Sequence, residues 1–257
     1  MENLNVGLIQ SDLSWENIDA NLEHLENQLA NIAPTVDLVI LPEMFSTGFS
    51  MEPAKVAEAM KGKTVQWLAE HAKRLGAVLT GSIIIEEEGN YYNRLVWMRP
   101  DGSYATYDKR HLFTLAGEHE VYTAGKMPLY VEVKGWKVCP LICYDLRFPV
   151  WSRNTVNYDL LIYVANWPEK RNTAWKSLLR ARAIENQAYT IGVNRVGRDG
   201  NDLDYSGDSS IIDYAGALQF QVSNIEGVFT ATLSYEKQQA FRKKLQFLAD
   251  RDQFEIT

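Results

Sequence analysis

Short apolar runs recur along this chain. Some are separated by stretches long enough for a helix, others only by turns, and this mixture narrows the fold most. Residues 5–10 and 37–41 read as buried strands, the second stopping at Pro42. Between them, residues 16–30 place Ile18, Leu22, Leu25 and Leu29 at helical spacing, and residues 64–75 form a second amphipathic helix. Strand signals follow at 77–85, 91–98 and 104–108, the last two joined by Pro100-Asp101-Gly102-Ser103. Further strands are predicted at 129–133, 137–143, 159–165, 189–194, 210–213, 217–222 and 227–233, with helices over 172–186 and 236–248. Helical crossovers imply parallel pairing and hairpins imply antiparallel pairing, so a purely parallel sheet does not fit. The pattern predicts a mixed α/β sandwich, two sheets face to face with helices outside. No Pro/Ser-rich linker or internal repeat interrupts it, and residues 1–257 read as one domain.

Charge bears on partners. The chain has 26 Lys+Arg against 33 Asp+Glu, a formal charge of −7. That balance argues against a broad nucleic-acid-binding face, but leaves room for a local anion pocket. No apolar run approaches the ~18 residues of a membrane helix. Met1-Glu2-Asn3-Leu4-Asn5 lacks the basic and apolar regions of a signal peptide. A cytoplasmic protein with no membrane and no nucleic-acid partner is expected. The two cysteines, Cys139 and Cys143, would share one face of a strand about 13 Å apart, at ~3.3 Å per residue, too far for a disulfide. Both are expected to be reduced, with Cys139 in the core.

Three local features could carry chemistry. Leu41-Pro42-Glu43 puts a carboxylate directly after a buried strand. Tyr107-Asp108-Lys109-Arg110-His111-Leu112-Phe113 ends an alternating strand in a charged cluster. In Leu141-Ile142-Cys143-Tyr144-Asp145-Leu146-Arg147-Phe148-Pro149 an apolar strand runs into a cysteine and a polar turn, with Pro149 able to start a helix. Sites collect at strand ends of α/β folds. A cysteine there could be exposed and helped toward thiolate by nearby amides, with Glu as base and Lys as oxyanion partner. Taken singly, each has a plain alternative: a core thiol, a loop charge, a solvated lysine.

Taken together and in order, they resemble the nitrilase superfamily of carbon–nitrogen hydrolases, over nearly the whole chain. Leu-Pro-Glu matches the first family motif at Glu43, Asp-Lys-x-His-Leu-Phe the second at Lys109, and Cys-Tyr-Asp-Leu-Arg-Phe-Pro the third at Cys143. Gly117-Glu118 matches a second family glutamate, and Asn166-Trp167-Pro168 a loop after the strand that follows the cysteine. Gly207-Asp208-Ser209-Ser210-Ile211-Ile212-Asp213 with Gly216 matches a late family element. The resemblance implies a four-layer αββα sandwich of the nitrilase type and a Glu43–Lys109–Cys143 triad. It also implies a thioester mechanism, with the oxyanion held by Lys109 and the Tyr144 backbone N–H, and Glu118 ordering Lys109.

The third motif looks like the ω-amidase branch, which hydrolyses the terminal amide of 2-oxoglutaramate and 2-oxosuccinamate. There Arg147 matches an arginine that grips the substrate carboxylate; the plain alternative is a salt bridge to an acidic neighbour. Phe45, Phe113 and Trp167, with Asn166, are candidates to line the substrate pocket. The resemblance also implies a homodimer, with Trp151 and Arg153, on a helix after Cys143, and the C-terminal segment as candidate interface elements. Neither cofactor nor metal is implied.

Other readings fit less well. Another amidase or N-carbamoyl hydrolase acting on a small carboxylate-bearing substrate is the nearest alternative. A metal-dependent phosphoesterase of similar layering would need a late Asp-His pair, and no histidine follows His119. His111, His119, Glu118 and Glu120 have no standard metal-ligand spacing, and position-specific matches at Glu43 and Lys109 make a Cys–His dyad unnecessary. Residues 199–204 look like half a calcium loop, but Leu203 and Asp204 break the pattern and a turn is expected. A scaffold without activity is unsupported, since all three triad positions are occupied.

Overall fold

A computed structural model describes residues 1–256. The early strands are β1 (Leu4–Gln10), β2 (Leu38–Ile40), β3 (Val78–Glu87), β4 (Asn90–Met98) and β5 (Tyr104–Asp108). The later ones are β6 (Val131–Val133), β7 (Trp136–Ile142), β8 (Leu160–Ala165), β9 (Tyr189–Asn194), β10 (Val196–Arg198), β11 (Asp204–Ile212), β12 (Leu218–Ser223) and β13 (Gly227–Leu233). The helices are α1 (Ile18–Leu29), α2 (Pro53–Val56), α3 (Lys63–Leu75), α4 (Glu118–Val121), α5 (Asn172–Asn186) and α6 (Tyr235–Lys244).

One sheet runs β13-β1-β2-β3-β4-β5, and the other β10-β11-β9-β8-β7-β6 with β12 beside β11. Each has a parallel centre, β1-β2-β3 and β7-β8-β9, flanked by antiparallel strands. The period-2 pleat explains the layering. Leu38 and Ile40 of β2 point between the sheets with Leu8, Ile142 and Ile191, while Val39 and Leu41 point outward against Leu25 of α1 and Leu68 of α3. On the far side α5 covers the second sheet with Trp175, Leu179 and Ala183. Gly192 of β9 permits that approach: a Cβ there would lie 2.5 Å from Leu179 and 2.6 Å from Trp175. The result is the expected αββα sandwich. Among the described residues, no helix is long and apolar enough to cross a membrane.

Several elements differ from their sequence reading. β10 is too short to show a pattern, and β11 begins at Asp204 rather than 210. Its first half, Asp204 to Asp208, is polar and carries no apolar alternation. The C-terminal helix stops at Lys244, followed by a 3₁₀ turn over Phe247–Asp250. The chain after Pro149 is not a helix. Residues 149–152 form turns, and the stretch is held by side-chain bonds instead of a helical ladder: Asn154 Nδ2 donates to the carbonyls of Tyr158 and Asn186. Trp151, expected at an interface, is buried and donates its indole N–H to Tyr107 Oη (2.9 Å). Arg153 is tied to the Glu185 carbonyl.

Candidate active site

The carboxyl ends of strands from both sheets open onto one rim. From the first sheet, the chain after β2 delivers Glu43 and the chain after β5 delivers Lys109. From the second, β7 leads into Cys143 and β8 into Asn166. The Asn166 backbone N–H donates to Glu43 Oε2 (2.7 Å) and its Nδ2 to the Glu43 carbonyl (2.6 Å), so the two sheets are pinned together at the site.

Glu43, Lys109 and Glu118 are all buried from solvent. Lys109 Nζ donates to Glu43 Oε1 (2.8 Å) and to both oxygens of Glu118 (2.9 Å each). Asn93 of β4 bridges the two carboxylates, its Nδ2 donating to Glu43 Oε1 (2.8 Å) and Glu118 Oε1 (3.2 Å). Glu118, on the short α4, also accepts the Phe113 backbone N–H (2.5 Å). Burial acts against the Lys109 charge, but Glu118 and then Glu43 outweigh it and hold the ammonium above the ordinary lysine range. Burial raises the Glu118 carboxyl; Lys109 opposes this and the nearby Glu43 charge adds to it.

Cys143 opens a 3₁₀ turn, Cys143–Arg147, with φ +42°. It therefore lies past the strand, not on one strand face with Cys139, and both thiols are free and buried. A left-handed non-glycine residue stores strain, and this one aims the thiol into the site. The expectation of an exposed, acidified thiol is not met. Burial first, then the Glu43 charge, push the Cys143 thiol well above its ordinary value, with Lys109 pulling the other way. Its Sγ lies 3.9 Å from the Asn166 carbonyl.

Asp145 holds this turn. Its Oδ2 accepts the Ile142 N–H (3.0 Å) and the Tyr107 hydroxyl (2.7 Å); its Oδ1 meets the His111 N–H (3.0 Å) and Nδ1 (2.8 Å). Tyr107 and His111 flank Lys109, so one buried carboxylate sets the cysteine turn against the lysine strand. His111 is committed to this role, and its ring stacks on Phe148 with centroids 3.7 Å apart.

A cavity of about 550 Å³ opens over Cys143 and Lys109. Of the pocket candidates, Phe113, Arg147, Asn166 and Trp167 line it, and Tyr144 joins them. Phe45 does not. It packs against Trp67 in the helix-side core, where Gly81 leaves it room, and Phe49 lines the cavity instead with its ring centroid 5.1 Å from Lys109 Nζ. Arg147 is exposed, its Cζ 4.9 Å from the Trp167 ring centroid, and among the described residues no carboxylate pairs with it. The salt-bridge alternative for Arg147 therefore finds no partner. Trp15, Arg171 and Tyr205 also line the cavity, and sequence reasoning missed them. Asn93 and Asp145 were missed as well, although an asparagine inside the buried run of β4 was a visible signal. The stretch from 199 is a turn closed by the Asp199 carboxylate, which accepts the N–H groups of Asn201 (2.8 Å) and Leu203 (3.0 Å). Chemically, the arrangement offers a thiol, a carboxylate base near it, a fixed ammonium and two arginines on the outer wall.

Comparison with known proteins gives a consistent result. The family model described as carbon-nitrogen hydrolase matches residues 5–243. The omega-amidase YafV of Yersinia enterocolitica is 45% identical over 99% of both chains. The 2-oxoglutaramate amidase of Bacillus subtilis is 32% identical over 95% of this chain and 96% of its own. A solved carbon–nitrogen hydrolase superfamily protein of Xanthomonas campestris, with an arsenic adduct in its active site, superposes with a TM-score of 0.98. It is 45% identical, with all of both chains covered.

Proposed function

The chain belongs to the carbon–nitrogen hydrolase family, and from that premise we propose that it is an ω-amidase working through a Cys143 thioester. It hydrolyses the terminal amide of 2-oxo dicarboxylic acid monoamides such as 2-oxoglutaramate to the 2-oxo acid and ammonia. The observation that carries this reading is the unpaired Arg147 guanidinium in the same cavity as Cys143 and Lys109, whose ammonium is paired with Glu43. A guanidinium fork matches a carboxylate, which places the acid end of a short substrate outward and its amide inward.

The raised thiol explains why a base is needed. Cys143 attacks the amide carbon as Glu43 takes the Sγ proton, forming the C–S bond. The oxygen that becomes negative is met by Lys109 Nζ and the Tyr144 backbone N–H, both fixed beforehand, so no dipole must reorganise. Glu43 returns the proton to the departing nitrogen, the C–N bond breaks and ammonia leaves. Water, deprotonated by Glu43, then attacks the thioester, and the thiol is regenerated. Glu118 and Asn93 keep Lys109 and Glu43 in register throughout.

The same reading makes the protein a cytoplasmic homodimer. Exposed apolar side chains, Val150 and Phe254, border one depression with Arg153 and Glu185, which supports an interface there. The function is tested by ammonia release from 2-oxoglutaramate, 2-oxosuccinamate, N-carbamoyl-β-alanine, propionamide and an aliphatic nitrile. The two 2-oxo acid amides should give the highest kcat/KM. Faster turnover of propionamide or the nitrile would overturn the reading.

A further inference from the structure

The outer cavity holds a second arginine that, like Arg147, is uncommitted. Arg171 ends the 3₁₀ turn Glu169–Arg171 that precedes α5, and it lines the cavity with Arg147. Its Cζ lies 5.2 Å from the Phe113 ring centroid, as Arg147 rests over Trp167. Among the described residues, neither guanidinium pairs with a carboxylate.

The acids around the same cavity are engaged elsewhere. Glu16 accepts the Ser50 hydroxyl (2.5 Å), Glu52 pairs with Lys55, and Asp199 takes two backbone N–H groups and the Tyr205 hydroxyl. These bonds leave Glu16 and Asp199 charged, so the outer wall carries both signs; what sets the two arginines apart is that among the described residues neither guanidinium has a hydrogen-bond or ion-pair partner. They are also mounted together. Trp167, the ring beneath Arg147, donates its indole N–H to the Arg171 carbonyl (2.9 Å), and the Arg171 N–H donates to Pro168 (3.0 Å). Moving one arginine's support moves the other's.

One guanidinium fork is enough for both oxygens of one carboxylate. A second, braced on its own ring, calls for a ligand end with acceptors on two sides. A 2-oxo acid has such an end, because the oxo oxygen adjoins the carboxylate. Resting on the ω-amidase reading above, we propose that Arg171 is a specificity residue which, from the same cavity wall as Arg147, reads the 2-oxo oxygen of the substrate and so separates 2-oxo acid amides from plain ω-amides.

The test compares 2-oxoglutaramate with glutaramate, which keeps the carboxylate and chain length but lacks the oxo group. Arg171→Gln should lower kcat/KM for 2-oxoglutaramate by roughly 10–100-fold, mostly through KM, as expected for a hydrogen bond to a charged donor. The loss on glutaramate should be smaller by about tenfold or more, so the preference between the two substrates collapses. Arg171→Lys, which keeps the charge, should recover part of it. An equal loss on both substrates, or none on either, would overturn the proposal while the ω-amidase reading stands. Wild-type protein that fails to hydrolyse 2-oxoglutaramate would overturn both. Unchanged thermal unfolding of Arg171→Gln checks that the turn still folds.

Discussion

At the scale of single residues, the site is an arrangement of charges buried from bulk solvent at the floor of a cavity. Two carboxylates and one ammonium are buried together, and their mutual bonds make that burial tolerable. The consequence falls on Cys143, whose proton is held by burial and by Glu43. Alkylation of the thiol by iodoacetamide should therefore be slow at neutral pH and still rising above the ordinary thiol range. Glu43→Gln separates the two roles of that carboxylate. Removing its charge lowers the thiol pKa, so alkylation at pH 8 should be faster than in the wild type. Amide hydrolysis should fall by about 10²–10⁴-fold, the loss expected for a general base. Parallel loss of alkylation and hydrolysis, measured by mass spectrometry and ammonia release, would contradict this division. Glu43, Lys109 and Cys143 were legible in the sequence because each stands at a strand end inside a motif that, taken in order, resembles the nitrilase superfamily. The raised thiol was not, since it depends on groups distant in the chain.

At the scale of elements, rigidity comes from what ties strand ends together. Asp145 accepts four donors from the β5 extension and the cysteine turn. An asparagine there offers one acceptor oxygen and turns an amide toward donors that need an acceptor. Asp145→Asn should cost about 1–3 kcal/mol of stability, the penalty for buried donors left without partners. It should also lower kcat more than it raises KM, because it loosens the thiol against Lys109 and not the outer pocket. Chemical denaturation with steady-state kinetics measures both; unchanged kcat would show that the turn holds without this carboxylate. The same scale explains the missing helix after Pro149. Proline permits a helix start, but Asn154 gives the backbone other partners, and a burial site for Trp151 competes with helix geometry.

At the scale of the whole molecule, four layers bring the ends of both sheets to one rim, and only that apposition makes a cavity. The surface beside Val150 and Phe254 is the proposed interface, and it shares no lining residue with the cavity. Val150→Asp combined with Phe254→Asp should halve the sedimenting mass without moving the midpoint of unfolding at high dilution. A wild-type chain that sediments as a monomer at micromolar concentration would end the dimer proposal. Removing Trp151 is no test of that interface, because Trp151 is part of the core that supports Tyr107.

The sequence by itself determined the layered α/β class and the positions of most strands and helices, which are written in local periodicity, and its ordered motifs, through their resemblance to a known family, pointed to the carboxylate, ammonium and thiol at the strand ends. Tertiary structure alone decided that Phe49 and not Phe45 faces the cavity, that Cys143 leaves its strand in a left-handed turn, and that Arg147 and Arg171 stand free while nearby acids are engaged. These depend on partners far apart in the chain: Glu43 meets Asn166 123 residues away and Lys109 66 residues away. No local pattern encodes such distances, and the burial that pushes up the Cys143 thiol and the Glu118 carboxyl exists only once both sheets have closed over them.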